Sequence, residues 1–155
     1  RTRTDELITL SEEQGIPMYL AGGRLLKGLL LAGEGRAGEG VALMREGIAG
    51  HQATGTQVGA SVWSRGWLGE GLLQARAFGE ALQVVDEALA FVERTGERFH
   101  EAELWRLRAL ALRRSGAGYV EAEAALEKAL ASARHCSAKS LELRAEAALA
   151  ELRPA

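Results

Sequence analysis

GEALQVVDEALA, Gly79 to Ala90, decides the fold, because two other stretches of the chain have the same pattern. They are GEGVALMREGIA, Gly38 to Ala49, and VEAEAALEKALA, Val120 to Ala131. One position is occupied by glutamate in all three copies, at Glu39, Glu80 and Glu121, and the two intervals are equal (80 − 39 = 121 − 80). The same interval separates the positions at which the copies end, Gly55, Gly96 and Ser137. The sequence therefore predicts an internal repeat with a length of about 41.

Each copy of the repeat has the hydrophobic spacing of two helices. In the second copy, apolar residues recur at i, i+3, i+4 and i+7 on both sides of a short break at 75–79. The pattern predicts an all-α single domain over 1–155, with repeats at 17–55, 57–96 and 98–137. The helices are expected near 2–14, 18–33, 36–54, 57–75, 77–95, 99–115, 119–136 and 138–152. Because the chain begins at Arg1 and not at methionine, we expect it to be a fragment of a longer protein.

A glycine-rich stretch, LAGEGRAGEG from Leu31 to Gly40, contains the G-x-G-x-x-G spacing that binds dinucleotides, at Gly33, Gly35 and Gly38. That motif requires a β-strand before it, whereas residues 24–32 are rich in good helix formers and lack β-branched side chains. The stretch lies between the two predicted helices of the first copy. The sequence therefore predicts a helix–turn–helix connection here and no nucleotide site.

Glycines inside the predicted helices indicate places where two helix backbones come close together. Gly28 and Gly69 are separated by the repeat interval (69 − 28) and lie in the first helices of two copies, and Gly40 and Gly47 lie in a second helix. A larger side chain at such a position would push the neighbouring helix away. We expect these four glycines at helix–helix contacts.

The composition argues against several classes of protein. The formal net charge is −2, whereas nucleic-acid-binding domains usually have a basic excess. Hydrophobic residues make up 47% and charged residues 26%, as in ordinary folded domains. No apolar run is long enough to span a membrane, and the single cysteine, Cys136, suits a reducing compartment. We therefore expect a cytoplasmic protein with no membrane partner, and nucleic acid is a poor candidate.

The sequence contains no recognisable catalytic or metal-binding constellation. His135 and Cys136 are neighbours on a predicted helix, so their side chains point about 100° apart. The stretch from His100 begins like the zinc motif H-E-x-x-H, but its fifth residue is Leu104. All three histidines, His51 included, are expected at solvated helix ends. The prediction is a protein that is not an enzyme and has no catalytic residue, metal ligand or cofactor.

The alternation of small and bulky residues in the second copy resembles the tetratricopeptide repeat, at Gly69, Leu72, Ala81, Val85 and Ala88. Trp105 in the third copy is similar to the tryptophan of that repeat's first helix. The resemblance implies a right-handed superhelix of antiparallel helix pairs. The sequence departs from the family in its greater repeat length, in Arg24 and Arg65 where tryptophan is expected, and in lacking the closing proline.

A narrower resemblance covers 92–116 and 122–152, which are similar to the C-terminal tetratricopeptide regions of large bacterial signalling proteins. In those proteins an adenylate or guanylate cyclase domain, or a DNA-binding domain, accompanies a P-loop ATPase domain ahead of the repeats. The resemblance implies a regulatory or scaffolding role through protein–protein contacts. It does not bring ATPase chemistry, because the chain has no G-x-x-x-x-G-K-[ST] motif.

The first helices of tetratricopeptide repeats line a groove, and such grooves bind peptides. The resemblance implies ten groove residues here, namely Trp63, Gly66, Glu70, Leu73, Gln74, Glu103, Arg106, Leu110, Arg113 and Arg114. The three arginines of this set would bind an acidic or carboxylate-ended peptide, and Trp63 would offer an aromatic anchor. The alternative is that the arginines form a solvated helix face and that Trp63 fills the seam between two copies.

Two further functions remain open on the sequence. The arginine-rich face at 106–114 could contact nucleic acid as part of a transcriptional regulator, and its DNA affinity would then fall steeply with salt. The predicted helix 138–152 is apolar enough to resemble an interior layer of the array, not a polar cap. It could therefore pair with a second copy of the chain and form a homo-oligomer.

Overall fold

The structure is a computed structural model that describes residues 3–55, 61–116 and 118–152. Within these ranges the chain forms helices and no strand, which confirms the all-α prediction. The described part contains eight helices, α1 (Arg3–Glu13), α2 (Pro17–Gly33), α3 (Ala37–Ala53), α4 (Val62–Gln74), α5 (Phe78–Thr95), α6 (Glu101–Ser115), α7 (Tyr119–His135) and α8 (Lys139–Leu152). The predicted bounds agree closely with the observed ones, except that the predicted starts at 2 and 57 lie outside the described residues.

The ends of the helices carry the residues expected there. Pro17 is the first residue of α2, a position where its fixed φ favours a helix and its missing N–H costs nothing. Glu39 and Glu80 lie in the first turns of α3 and α5, where a negative charge complements the helix dipole. Arg113 and Arg114 lie in the last turn of α6, where positive charge has the same effect.

The chain divides into two compact units, Arg1–Arg76 and Ala77–Ala155. In the first unit, α2 packs against α1, α3 and α4, and α3 also packs against α4. In the second unit, α6 packs against α5, α7 and α8, and α7 also packs against α8. The predicted second repeat, 57–96, spans the boundary between the units. One apolar core cluster of the second unit consists of Ala109, Leu112, Ala122, Ala125, Leu126, Ala148 and Leu152.

Residues in the left-handed backbone conformation follow seven of the described helices. The helices α1, α3, α5 and α7 are followed by Gly15, Gly55, Gly96 and Ser137, with φ of 63°, 70°, 75° and 53°. The helices α2, α4 and α6 are followed by Gly35, Arg76 and Gly116, with φ of 85°, 59° and 79°. Gly35 belongs to the G-x-G-x-x-G stretch, and the helix α2 precedes it where a nucleotide site would require a strand. The predicted helix–turn–helix connection is confirmed.

The left-handed conformation of Gly96 favours a residue without a Cβ, and a substitution can test this. We expect Gly96→Ala to lower the free energy of unfolding by about 1–2 kcal/mol, because a Cβ is strained at positive φ. The matched control is Gly79→Ala in the first turn of α5, where an added Cβ has no neighbour within 4 Å. That change should be neutral or stabilising by up to about 1 kcal/mol. Urea unfolding checks both, and a loss of equal size in the two variants would contradict the assignment.

The contact between α2 and α3 is a close backbone approach made possible by glycines. A Cβ added at Gly28 would lie 2.6 Å from the carbonyl oxygen of Gly40, and one added at Gly47 would lie 2.7 Å from that of Ala21. These positions show that α2 and α3 run antiparallel, and they confirm the prediction for Gly28, Gly40 and Gly47. Gly69 is buried in α4.

Candidate functional site

The ten predicted groove residues lie on two helices. The helix α4 of the first unit carries Trp63, Gly66, Glu70, Leu73 and Gln74, and α6 of the second unit carries Glu103, Arg106, Leu110, Arg113 and Arg114. Within each helix the spacing places most of these residues on one face, because residues three, four and seven apart lie together.

The residues of α4 differ in how much of their surface is accessible. Gly66 and Leu73 are buried, Trp63 and Glu70 are partly buried, and Gln74 is exposed. Trp63 packs edge-to-face against Trp67, with ring centroids 4.5 Å apart and planes at 68°. This contact fixes the indole of Trp63 without burying it fully. Trp63, Glu70 and Gln74 therefore remain as the accessible members of this set.

On α6, Arg106 and Glu103 form a buried ion pair. The Nε of Arg106 donates to Oε2 of Glu103 at 2.9 Å, and its Nη2 donates to Oε1 at 2.6 Å. The side chains of Arg106 and Glu103 are only 11% and 4% exposed. Arg144 of α8 adds a second cation, with its Nη2 at 2.9 Å from Oε1 of Glu103. The cluster thus connects α6 with α8 inside the second unit.

Glu103 stays ionised in this buried position. Burial alone would raise its pKa, but the hydrogen bond and charge of Arg106 and the charges of Arg144 and His100 outweigh that effect and hold the pKa below its ordinary value. Because Arg106 donates two hydrogen bonds to Glu103, its guanidinium is already engaged inside the protein. Of the three arginines that the resemblance implies for peptide binding, only the two exposed ones of α6 are therefore accessible to a ligand.

Those exposed arginines are Arg113 and Arg114, in the last turn of α6. Leu110, one turn before them, is partly buried and offers an apolar edge. Arg106 lies two turns before Arg113 and so on the same side of the helix, but the carboxylate of Glu103 balances its charge. This end of α6 has the composition needed to attract an anionic group.

The described residues form no candidate metal site and no membrane span. No group of three or more histidine, cysteine or acidic side chains within it is placed to hold a metal ion. Cys136 is exposed. Among the described helices, none combines the length and the apolar character needed to cross a membrane.

The expectation that all histidines lie at solvated helix ends is wrong for His51. Its side chain is buried at the end of α3, and burial lowers its pKa below 6.5. Because the imidazole binds a proton more readily in the unfolded chain than in the folded one, protonation favours unfolding. The free energy of unfolding is therefore highest above the unfolded-state pKa and decreases as the pH falls towards the folded-state pKa. His135 is exposed, as expected.

This burial predicts a pH dependence of stability. Between pH 7.5 and 5.5, we expect the melting temperature of the wild type to fall more than that of His51→Gln, because the variant has no imidazole to protonate. His135→Gln, which removes an exposed histidine, should keep the wild-type slope. Melting curves at several pH values measure this directly, and parallel slopes for the wild type and His51→Gln would show that His51 protonation is not coupled to unfolding.

Comparisons with protein-family models and with curated proteins give no family assignment for this chain. No protein-family model matches it, and no curated protein matches it at a significant level.

Proposed function

We propose that the chain is a protein-binding module built from tetratricopeptide-like helix pairs, with a repeat length of about 41. The observation that carries this proposal is the even spacing of the left-handed turns. The turns that follow α1, α3, α5 and α7, the second helices of the pairs, lie at Gly15, Gly55, Gly96 and Ser137. They are separated by nearly constant intervals (55 − 15, 96 − 55 and 137 − 96). The turns that follow α2, α4 and α6, the first helices of the pairs, lie at Gly35, Arg76 and Gly116 and are also evenly spaced (76 − 35 and 116 − 76). Turn geometry and sequence repeat thus have the same period.

The packing inside each unit supports the same proposal. The first helices of consecutive copies contact each other, α2 with α4 in the first unit and α6 with α8 in the second. Each first helix also packs against the second helix of the preceding copy, as α4 does on α3 and α6 does on α5. Such neighbour-to-neighbour contacts are typical of a right-handed stack of helix pairs, whose first helices face a common groove.

The ligand that fits the proposal best is an acidic or carboxylate-ended peptide. Arg113 and Arg114 provide two exposed guanidinium groups, which bind carboxylates through paired hydrogen bonds. Leu110, on the same helix, provides adjacent apolar surface. By its resemblance to bacterial signalling proteins, the module would act in the cytoplasm as a regulatory or scaffolding region.

Removing the two exposed arginines tests this proposal. We expect Arg113→Ala/Arg114→Ala to weaken the binding of a fluorescein-labelled acidic peptide by about tenfold or more, since each charge-assisted contact contributes about 1 kcal/mol or more. The peptide would be chosen from a library of acidic nonapeptides with free C-termini and measured by fluorescence polarisation. The proposal fails if no acidic peptide binds.

The matched control is Arg36→Ala/Arg45→Ala, which removes the same charge from exposed positions on the first unit. Circular dichroism would establish that both double variants fold. Equal weakening in the two would indicate a general charge effect and would argue against a clamp on α6. A steep salt dependence of DNA binding, lost with Arg113 and Arg114, would instead favour the nucleic-acid alternative.

Self-association through α8 has one specific observation in its favour. Leu143 of α8 is 55% exposed, although Ala145, Ala148 and Leu152 of the same helix are buried. An exposed leucine on the final helix could pack against a second copy of the chain. Light scattering at high protein concentration distinguishes this alternative, which fails if only monomer is observed.

A further inference from the structure

A second candidate site lies in a cleft of the second unit, among α5, α6 and α7. Its volume is about 440 Å³, within the range of ligand-binding clefts. Trp105 of α6 lies at this cleft, and the indole also packs against the apolar core of the unit. None of the residues implied by the tetratricopeptide resemblance as groove residues lines the cleft. It is therefore independent of the proposed peptide groove.

One wall of the cleft is a network of two carboxylates and one guanidinium. The guanidinium of Arg98 contacts Glu101 through Nη1 at 2.9 Å and Glu93 through Nη2 at 3.3 Å. Ser132 of α7 donates a hydrogen bond to Oε2 of Glu101 at 3.2 Å. Glu101 is itself buried, with 7% of its surface exposed. The carboxylate of Glu101 is thus satisfied by Arg98 and Ser132.

The cleft also contains a cation without a carboxylate partner, Lys128 of α7. The ammonium nitrogen of Lys128 lies 4.3 Å from the centroid of the Trp105 ring. It forms no ion pair with any residue in the described part of the chain. The cation–π contact holds the lysine side chain over the indole, so part of the entropy cost of binding is already met. Its N–H groups that point away from the ring are available to an acceptor in the cleft.

We propose that this cleft binds a singly charged carboxylate of a peptide, with the carboxylate on Lys128 and the adjoining carbon atoms against Trp105. One available ammonium matches one negative charge. The nearby carboxylates of Glu93 and Glu101 disfavour a dianion such as phosphate, because like charges repel at close range. Ser132 and His135, one and two turns after Lys128, continue this face of α7 and offer polar contacts to the peptide backbone.

The carboxylate could come from an acidic side chain or from a peptide C-terminus, and two probes distinguish these sources. The first is acetyl-Gly-Glu-Gly-amide and the second is acetyl-Gly-Gly-Gly with a free carboxylate. Acetyl-Gly-Gln-Gly-amide serves as the neutral control. Each would be titrated against the ¹⁵N-labelled protein while the indole N–H signals of Trp63, Trp67 and Trp105 are followed by NMR. Trp105→Phe identifies the Trp105 signal by its disappearance.

We expect at least one charged probe to shift the Trp105 signal in a saturable way, while the neutral probe shifts it at least about tenfold less effectively. Lys128→Met keeps most of the apolar stem and should raise the dissociation constant by about tenfold or more. Lys139→Met removes an exposed lysine of α8 and should leave the constant within about twofold.

Three results would overturn the proposal: no shift of Trp105 with either charged probe, equal shifts with the glutamine probe, or equal binding by Lys128→Met and wild type. Tighter binding of inorganic phosphate than of either carboxylate would overturn the assignment to a monoanion. The test is separable from that of the proposed groove. A peptide whose binding is lost in Arg113→Ala/Arg114→Ala but kept in Lys128→Met binds at the groove, and the reverse result places it in the cleft.

Discussion

Glu103→Ala is expected to lower the free energy of unfolding by about 3–5 kcal/mol, the usual result of removing one partner from a buried ion pair. The substitution leaves the Arg106 guanidinium, whose side chain is 11% exposed, without the carboxylate that accepts two of its hydrogen bonds. It also removes the contact of Arg144 with α6, although the Arg144 side chain is 47% exposed and can turn to water. Most of the loss should therefore come from Arg106. Urea unfolding, followed by circular dichroism, measures it.

The chain provides a matched control in Arg36 and Glu39. This pair has the same i, i+3 spacing and the same two-bond geometry, with donor–acceptor distances of 2.8 and 2.6 Å, but its side chains are 53% and 62% exposed. Glu39→Ala should lower the free energy of unfolding far less than Glu103→Ala does, because water replaces the lost partner of Arg36. A double variant, Glu103→Leu/Arg106→Leu, should recover most of the stability, since no buried charge remains. Equal losses in the two single variants would show that burial does not determine the effect.

The helices and their turns could be predicted because the signals for them are local. Apolar periodicity set the positions of all eight described helices, and Gly96 and Gly35 were recognisable as helix stops or turns from their immediate neighbours. The glycines at helix contacts were also predictable. Gly28 and Gly47 lie inside helical patterns, where a residue that weakens the helix needs a packing reason.

The candidate site was less predictable, because the burial of a charged side chain depends on distant parts of the chain. The sequence of α6 alone does not distinguish Arg106 from a surface arginine. Arg144 contacts Glu103 only because α8 packs against α6. Two signals were nevertheless present. Glu103 and Arg106 have the i, i+3 spacing of a helical ion pair. Glu103 and Arg144 are separated by the repeat interval (144 − 103), so they are opposite charges at equivalent positions of consecutive copies.

The burial of His51 and the cation–π contact of Lys128 lacked any such signal. His51 lies near the end of α3, a place where polar residues are normally solvated, and its burial follows from how the first unit packs around it. Lys128 and Trp105 lie on different helices, and no periodicity of the sequence connects them. Such contacts arise from the path of the whole chain and are invisible to local patterns.

Gly47→Leu is expected to disrupt the first unit, with a loss of about 3 kcal/mol or more in the free energy of unfolding. Even the Cβ of the new side chain would lie 2.7 Å from the carbonyl oxygen of Ala21 and 3.0 Å from the backbone nitrogen of Leu25. These are backbone atoms of α2, so they cannot move aside as the end of a flexible side chain could. The helix pair would have to separate, and that would expose Met44 and Leu25, both now fully buried.

Gly38→Leu is the control for this prediction, because an added Cβ at Gly38 has no neighbour within 4 Å. Gly38 is in the first turn of the same helix, α3, so both variants add the same side chain to one element. We expect Gly38→Leu to leave the stability unchanged or to raise it slightly, since leucine favours the helical conformation more than glycine does. If Gly47→Leu unfolded at the same urea concentration as Gly38→Leu, the close approach of α2 and α3 would be wrong. A large loss confined to Gly47→Leu would instead establish this glycine as the residue that sets their spacing.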